Sequence, residues 1–297
     1  MSGYQKNKKW QLNSTVREKL SEFIVDNYQL NPIGEEIVYK ANENLKTDYV
    51  EHIDFPINDY WHNYFMERLM IVGRFKKEKA LDVCAGSGTL CLNIQSKDIF
   101  KELIAIDINQ FSIDRLSEKA SEKRINVKPF CSNIDKTIFE NETFDVIMGN
   151  SFLHHLPNNL VFLKEMYRIL KKGGSLILTG EPSISADFLE SFLVKKIRKY
   201  ILFQKSNIEN DPSDLWVYSE DDIKILFNQA GFKNVKIYAW GITGTFFSSI
   251  FNKIFGKYSR GKGHKFYWSF FNFIDKLLFF AFKKDRFAYF SIGAIKE

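Results

Sequence analysis

The chain has 297 residues, 45% hydrophobic and 26% charged, enough apolar content for a substantial core in one large domain or two small ones. No apolar run reaches the ~18 residues that span a bilayer, and Met1 to Trp10 is polar, so neither a membrane span nor a signal peptide is expected. Cys84, Cys91 and Cys131 show neither paired-thiolate nor disulfide spacing, which points to a reducing cytoplasm and to no metal. The net charge of +6 is localised: between residues 241 and 286 nine Lys/Arg face Asp275 and Asp285, leaving the remainder about −1.

In chain order, residues 1–78 read as a helical cap. Ser14 suits an N-cap before Val16, Leu20, Phe23, Ile24 and Tyr28 at helical spacing, and Asn31-Pro32-Ile33-Gly34 breaks that helix. After Pro56 a second helix carries Tyr60, Trp61, Tyr64, Phe65, Leu69 and Val72 on one broad face. That face either packs on the core or brings Tyr60, Trp61 and Tyr64 to a substrate. From residue 80 strand and helix alternate. Strands are expected at 80–84, 103–107, 126–131, 144–149, 174–179, 233–240 and 287–295, and helices near 88–97, 110–123, 158–170, 186–204 and 219–230. The alternation predicts an α/β fold: a Rossmann-like, seven-stranded, mostly parallel sheet with helices on both faces.

The stretch Ala80-Leu81-Asp82-Val83-Cys84-Ala85-Gly86-Ser87-Gly88-Thr89-Leu90 is a strand, a glycine turn and a helix start. It has the layout of a nucleotide cradle. Asp107 ends the next apolar run, where a carboxylate can accept hydrogen bonds from ribose hydroxyls. A dinucleotide fingerprint wants a third small residue where Cys91 stands, and Asp82 before the turn suits a ligand ammonium better than a pyrophosphate. These motifs, with Thr143-Phe144-Asp145-Val146-Ile147, Leu153-His154-His155-Leu156, Glu165 through Leu176 and Ala230-Gly231-Phe232, carry a family resemblance. Over residues 80–240 the sequence resembles the class I S-adenosylmethionine-dependent methyltransferases, particularly the small-molecule branch similar to ubiquinone/menaquinone-type methyltransferases.

The resemblance implies S-adenosyl-L-methionine as cofactor and S-adenosyl-L-homocysteine as product. It implies that Asp82, Cys84, Ala85, Gly86 and Gly88 surround the methionine end, joined by Asn150, and that Asp107 holds the ribose. Ile108 would pack on the adenine, with Ser132, Asn133 and Ile134 beside it; Asn133 stands where the family usually has an acid, and its amide oxygen can still accept a hydrogen bond. His154 and His155 are candidate bases for a hydroxyl or amine, with Glu181 as an alternative base, a substrate anchor or an exposed loop carboxylate.

Two insertions depart from a minimal fold. Residues 185–218 read as a lid within the core region 79–240, ending at Trp216 and Tyr218 as further substrate-facing candidates. Residues 241–284 hold 14 aromatics among positions 241–282, in two amphipathic helices (245–255, then 266–278) joined by a basic loop, before a final strand within 285–297. This insertion suits peripheral contact with an anionic membrane, a greasy acceptor pocket, or self-association. Its aromatics lie away from its lysines, so nucleic acid is not the first choice. The expected activity is methyl transfer to an oxygen or nitrogen of a small, hydrophobic metabolite. The alternatives are an RNA or protein acceptor, or a non-catalytic cofactor-binding module.

Overall fold

A computed structural model describes residues 56–73, 75–156, 158–183, 216–241, 262–279, 283–284 and 287–297. The expected helices at 14–28, 186–204 and 245–255, and residues 258–261 of the basic loop, lie outside the described residues. Seven strands run β1 Lys79–Val83, β2 Glu102–Asp107, β3 Lys128–Cys131, β4 Phe144–Asn150, β5 Leu170–Pro182, β6 Lys233–Trp240 and β7 Tyr289–Ile295. They form one sheet in the order β3-β2-β1-β4-β5-β7-β6. Every pairing is parallel except those of β7, which runs antiparallel to β5 and β6.

The central strands are apolar on both faces, as a covered parallel sheet requires: Leu81, Val83, Ile104, Ile106 and Ile147 point one way, Ala80, Leu103, Ala105, Val146 and Met148 the other. The second face is covered by α1 Asp59–Leu69, α2 Thr89–Gln95 and α3 Gln110–Lys123. The first is covered by α4 Asn159–Ile169 and α5 Glu220–Gln229. Local chemistry sets these bounds. Asn58 accepts from the Trp61 amide to cap α1, Asn109 caps α3, and Ser219 and Asp222 form a reciprocal capping box on α5. Arg124 in the left-handed region ends α3 at the expected residue. α2 starts one residue later than expected because Gly88 takes φ 93°, and it ends two residues earlier, at Gln95. β5 starts four residues early, since Leu170 already pairs with Phe144 across a bulge.

Helix α6, Lys262–Phe279, begins four residues before the expected 266, taking up the end of the basic loop. It is tied down by Asp275, which accepts from the Gly241 amide at 2.8 Å, and by the ion pair of Lys276 with Glu67. Phe270, Phe273 and Leu277 remain exposed along it. Among the described residues no helix is long and apolar enough to cross a membrane.

Candidate active site

β1 lies between β2 and β4, where successive crossovers turn to opposite faces of the sheet, and ligands of such sheets bind beyond the strand ends at that point. The chain leaves β1 through Cys84 at φ 50°, Gly86 at 53° and Gly88 at 93°. The Ala85 amide donates to the Ile106 carbonyl at 3.0 Å and the Gly86 amide to Asp107 Oδ2 at 2.9 Å, clamping the turn to the end of β2. The two glycines differ in purpose. A Cβ on Gly88 would lie 2.8 Å from Leu92 Cδ1 and 2.9 Å from Leu116 Cγ, so close helix packing demands glycine there. A Cβ on Gly86 would meet nothing within 4 Å, so the space beside that amide is open.

Carboxylates surround this opening. Asp82 has 0% exposure; its Oδ2 accepts from the Cys91 amide at 3.1 Å, and its Oδ1 has no hydrogen-bond partner. Burial pushes its carboxyl up to about 7, against the pull of the Cys91 donors, with a further push from the charge of Asp107. Asp107 accepts from the Asn109 amide on Oδ1 at 2.9 Å; burial raises its carboxyl, opposed by the amides of Asn109, Gly86 and Ile108. The Cys84 thiol is pushed well above its ordinary value, first by burial, then by the charges of Asp107, Asp135, Asp82 and Glu181. Four acids acting on one thiol make a field that attracts a cation and repels a pyrophosphate.

The loop after β3 closes the second side. The Ser132 amide donates to the Asp107 carbonyl at 2.9 Å and Cys131 Sγ contacts the Ile108 carbonyl at 3.2 Å. Ile134 is buried, and Asn133 Oδ1 already accepts from the Asp135 amide at 2.8 Å. The structure therefore gathers Cys84, Ala85, Gly86, Asp107, Ile108, Ser132, Asn133 and Ile134 at the ends of β1 to β3. Half-buried Asn150 ends β4. Asp135, a fourth acid at the opening, was missed by sequence reasoning; its one signal was its position two residues after Asn133.

A second centre stands at the ends of β4 and β5. A bulge at Gly180, φ 80°, turns Glu181 away from the alternation of β5. Far from an exposed loop carboxylate, Glu181 has 0% exposure. Its Oε1 accepts from the Phe152 and Leu153 amides at 3.1 and 3.2 Å, and its Oε2 from the His154 amide at 3.1 Å and His154 Nδ1 at 2.9 Å. All four acceptor directions of the carboxylate are engaged. Because that carboxylate accepts, the proton of this hydrogen bond belongs to His154 Nδ1. The His155 ring lies against His154 with centroids 4.0 Å apart.

The aromatic candidates divide. Tyr218 is buried; its hydroxyl donates to the Leu153 carbonyl at 3.1 Å and accepts from Asn159 Nδ2 at 2.8 Å. Trp216 donates its amide to the His154 carbonyl at 3.2 Å and its indole N–H to the Leu156 carbonyl at 2.8 Å. Through these bonds both side chains hold the histidine turn. Trp61 sits in the core between α1 and the sheet, while Tyr60 and Tyr64 are half-buried on the next row of α1. Among the described residues no three His, Cys, Asp or Glu converge as metal ligands.

Comparisons with known proteins agree with this geometry. Residues 80–174 match the family model described as a methyltransferase domain. The chain is 28% identical over 220 residues to the demethylmenaquinone methyltransferase of Staphylococcus carnosus strain TM300, covering 70% of this chain and 89% of that protein. It is 29% identical over 218 residues to that of Staphylococcus aureus strain JH9, with 70% and 89% covered. Among solved structures it is similar to Haemonchus contortus phosphoethanolamine N-methyltransferase 2 in complex with S-adenosyl-L-methionine (TM-score 0.54, 15% identity, 95% of this chain and 60% of that one). It is similar also to the YcgJ protein of Bacillus subtilis (TM-score 0.52, 18% identity, 80% and 99% covered). At those identities the structural likeness speaks for the fold.

A seven-stranded sheet of this order, with an acid-lined glycine turn at its switch point, is a class I methyltransferase domain. Residues 80–174 carry the S-adenosylmethionine-dependent methyltransferase domain, and the chain is distantly related to demethylmenaquinone methyltransferases. The residues present fit that cofactor: the orphaned Asp82 Oδ1, the open space at Gly86 and the converging carboxylates all suit a ligand with a sulfonium and an ammonium.

Proposed function

We propose that the chain methylates an oxygen or nitrogen of a small, hydrophobic acceptor, with His154 receiving the acceptor's proton. The observation that carries this reading is the His154–Glu181 pair at 2.9 Å, which fixes the imidazole at the strand ends beside the glycine turn. Glu181 is a positioning residue: with every acceptor direction engaged, it fixes the imidazole's orientation and offsets the charge that develops on protonation. In this scheme Asp82, Gly86 and Asn150 hold the methionine end, with Gly88 setting the turn by its packing, Asp107 the ribose, and Ile108, Asn133 and Ile134 the adenine. Bound cofactor supplies an electrophilic methyl carbon, so alignment of the acceptor and removal of its proton are what remain for the protein. A relative named for demethylmenaquinone supports a small-molecule acceptor.

The test is transfer of labelled methyl from S-adenosylmethionine to a fractionated metabolite extract. His154→Asn lowers turnover by roughly 10²- to 10⁴-fold, while calorimetry shows S-adenosylhomocysteine affinity within about twofold of the native protein. Native turnover in the variant removes His154 from the chemistry. Label confined to RNA or protein overturns the acceptor class.

A further inference from the structure

On the α1 face of the sheet, one side chain breaks the rule that buried charges are paired. Arg68 is 3% exposed. Its guanidinium lies 3.4 Å from the Tyr64 ring centroid and 4.4 Å from that of Trp240, so aromatic rings cover its faces. Stacking does nothing for the N–H groups in its plane. Nη1 donates to the Tyr64 carbonyl at 3.1 Å, and Nε is buried with no partner. Among the described residues no carboxylate forms an ion pair with it. Asp275 and Glu67, whose charges act on the nearby Tyr238, are engaged elsewhere, by the Gly241 amide and by Lys276.

This unfilled cation is wired to the methyl-transfer site by strand register. Asn150 pairs with Thr179, Thr179 with Ser291, and Ser291 with Tyr238. Thr179 Oγ1 and Ser291 Oγ share a hydrogen bond of 2.8 Å, and the Trp240 indole N–H donates to Ser291 Oγ at 3.1 Å. These side chains therefore share one face, the face from which the glycine turn enters α2. Three strand spacings separate Asn150 from Tyr238, about 14 Å. Tyr60, Tyr64 and Arg68 recur every fourth residue of α1, so they form one row beside it.

We propose that Arg68 is the specificity residue for the acceptor, binding a carboxylate or similar planar oxyanion at the end of an apolar, aromatic molecule whose other end is methylated near Asn150. The inference rests on the methyltransferase reading above. A guanidinium stacked between rings is held in one plane, so its buried, unpartnered Nε–H points in a fixed direction toward a planar anion. Lysine would offer a point charge without that shape.

The test uses the full chain saturated with S-adenosylhomocysteine and two probes, 4′-hydroxybiphenyl-4-carboxylate and its methyl ester, titrated by calorimetry. The native protein prefers the carboxylate at least tenfold. Arg68→Met, which keeps the stem and removes the charge, erases the preference while S-adenosylhomocysteine still binds and the melting temperature is held. Arg68→Lys keeps a reduced preference, which guards against misfolding of the Met variant. Equal affinity for both probes in native protein that binds S-adenosylhomocysteine overturns the role of Arg68 alone, as does an unchanged preference in Arg68→Met. Failure to bind S-adenosylhomocysteine defeats the methyltransferase reading instead.

Discussion

Asp82 and Glu181 both lie at carboxyl ends of strands with no exposed surface, yet they are finished to different degrees. Glu181 takes four donors, three of them backbone amides of the turn 152–154. Asp82 takes one backbone amide on one oxygen and leaves the other oxygen bare. A completed carboxylate is structure: it shapes a turn and fixes a histidine. An uncompleted one is a binding site in waiting, since leaving a buried acceptor unmade costs free energy that a ligand can recover. The same contrast separates the two glycines of the turn, one pressed against leucines and the other facing open space.

The largest effect expected from this contrast is at Glu181. Glu181→Ala strands three amides and an imidazole inside the protein, which should cost about 3–5 kcal/mol of stability. His154→Ala, which removes only the imidazole, should cost under about 1.5 kcal/mol. Urea denaturation of both variants measures the difference. Equal losses would mean that Glu181 serves only the histidine and not the turn.

Asp82 should show its state through pH. Its folded carboxyl sits at about 7 against an ordinary 3.8, so between those values the native state holds a proton that the unfolded chain has lost. Stability of the cofactor-free protein therefore falls as pH rises from about 4 to 7, by up to about 4 kcal/mol, and levels off above. The sign for ligand is opposite: ionised Asp82 attracts a cation, so affinity for S-adenosylmethionine rises over that interval. Asp82→Asn should flatten both profiles, read by denaturation and calorimetry at a series of pH values. An affinity that keeps its pH slope in Asp82→Asn assigns the slope to another group.

What the sequence revealed of these centres follows the range of their contacts. The glycine turn and the acid at the end of β2 are local features that sit where a strand stops, so spacing was enough to find them. α3 was legible to the residue because Asn109 and Arg124 end it with their own backbone and side chains. Glu181 was not legible in its actual role, since its partners lie 27 to 29 residues earlier and meet it only when β4 and β5 pair. Trp216 and Tyr218 read as substrate contacts because aromatics after a lid suggest a pocket; that their donors reach the carbonyls of Leu153, His154 and Leu156 follows only from long-range packing. Arg68 gave no signal at all. A basic residue in the last turn of a helix is ordinary at a helix end, and only β6 folding over it shows that it is buried.

Smaller effects divide the two glycines. Gly88→Ala forces a Cβ to within 3 Å of Leu92 and Leu116 in a left-handed conformation, and should cost about 2–3 kcal/mol. Gly86→Ala meets no neighbour and pays only for its φ of 53°, about 1 kcal/mol. Cofactor binding should rank them the other way. The methyl at Gly86 enters the open space beside the ligand, so S-adenosylhomocysteine affinity should fall more than tenfold there. Gly88→Ala, where it folds, should keep affinity within a few-fold.

Asn133 is the mildest probe of what a finished group contributes. Its side-chain oxygen already accepts from the Asp135 amide, so one lone pair at most is left for an adenine amino group. Asn133→Ala should therefore lower S-adenosylhomocysteine affinity only about fivefold, near 1 kcal/mol. Asn133→Asp keeps the turn, adds a charge beside Asp107 and Asp135, and strengthens the acceptor, so it should bind at least as tightly as the native protein. A loss in Asn133→Asp as large as in Asn133→Ala would place the amide nitrogen, not the oxygen, against the ligand. That result would reverse the orientation assigned to the loop after β3.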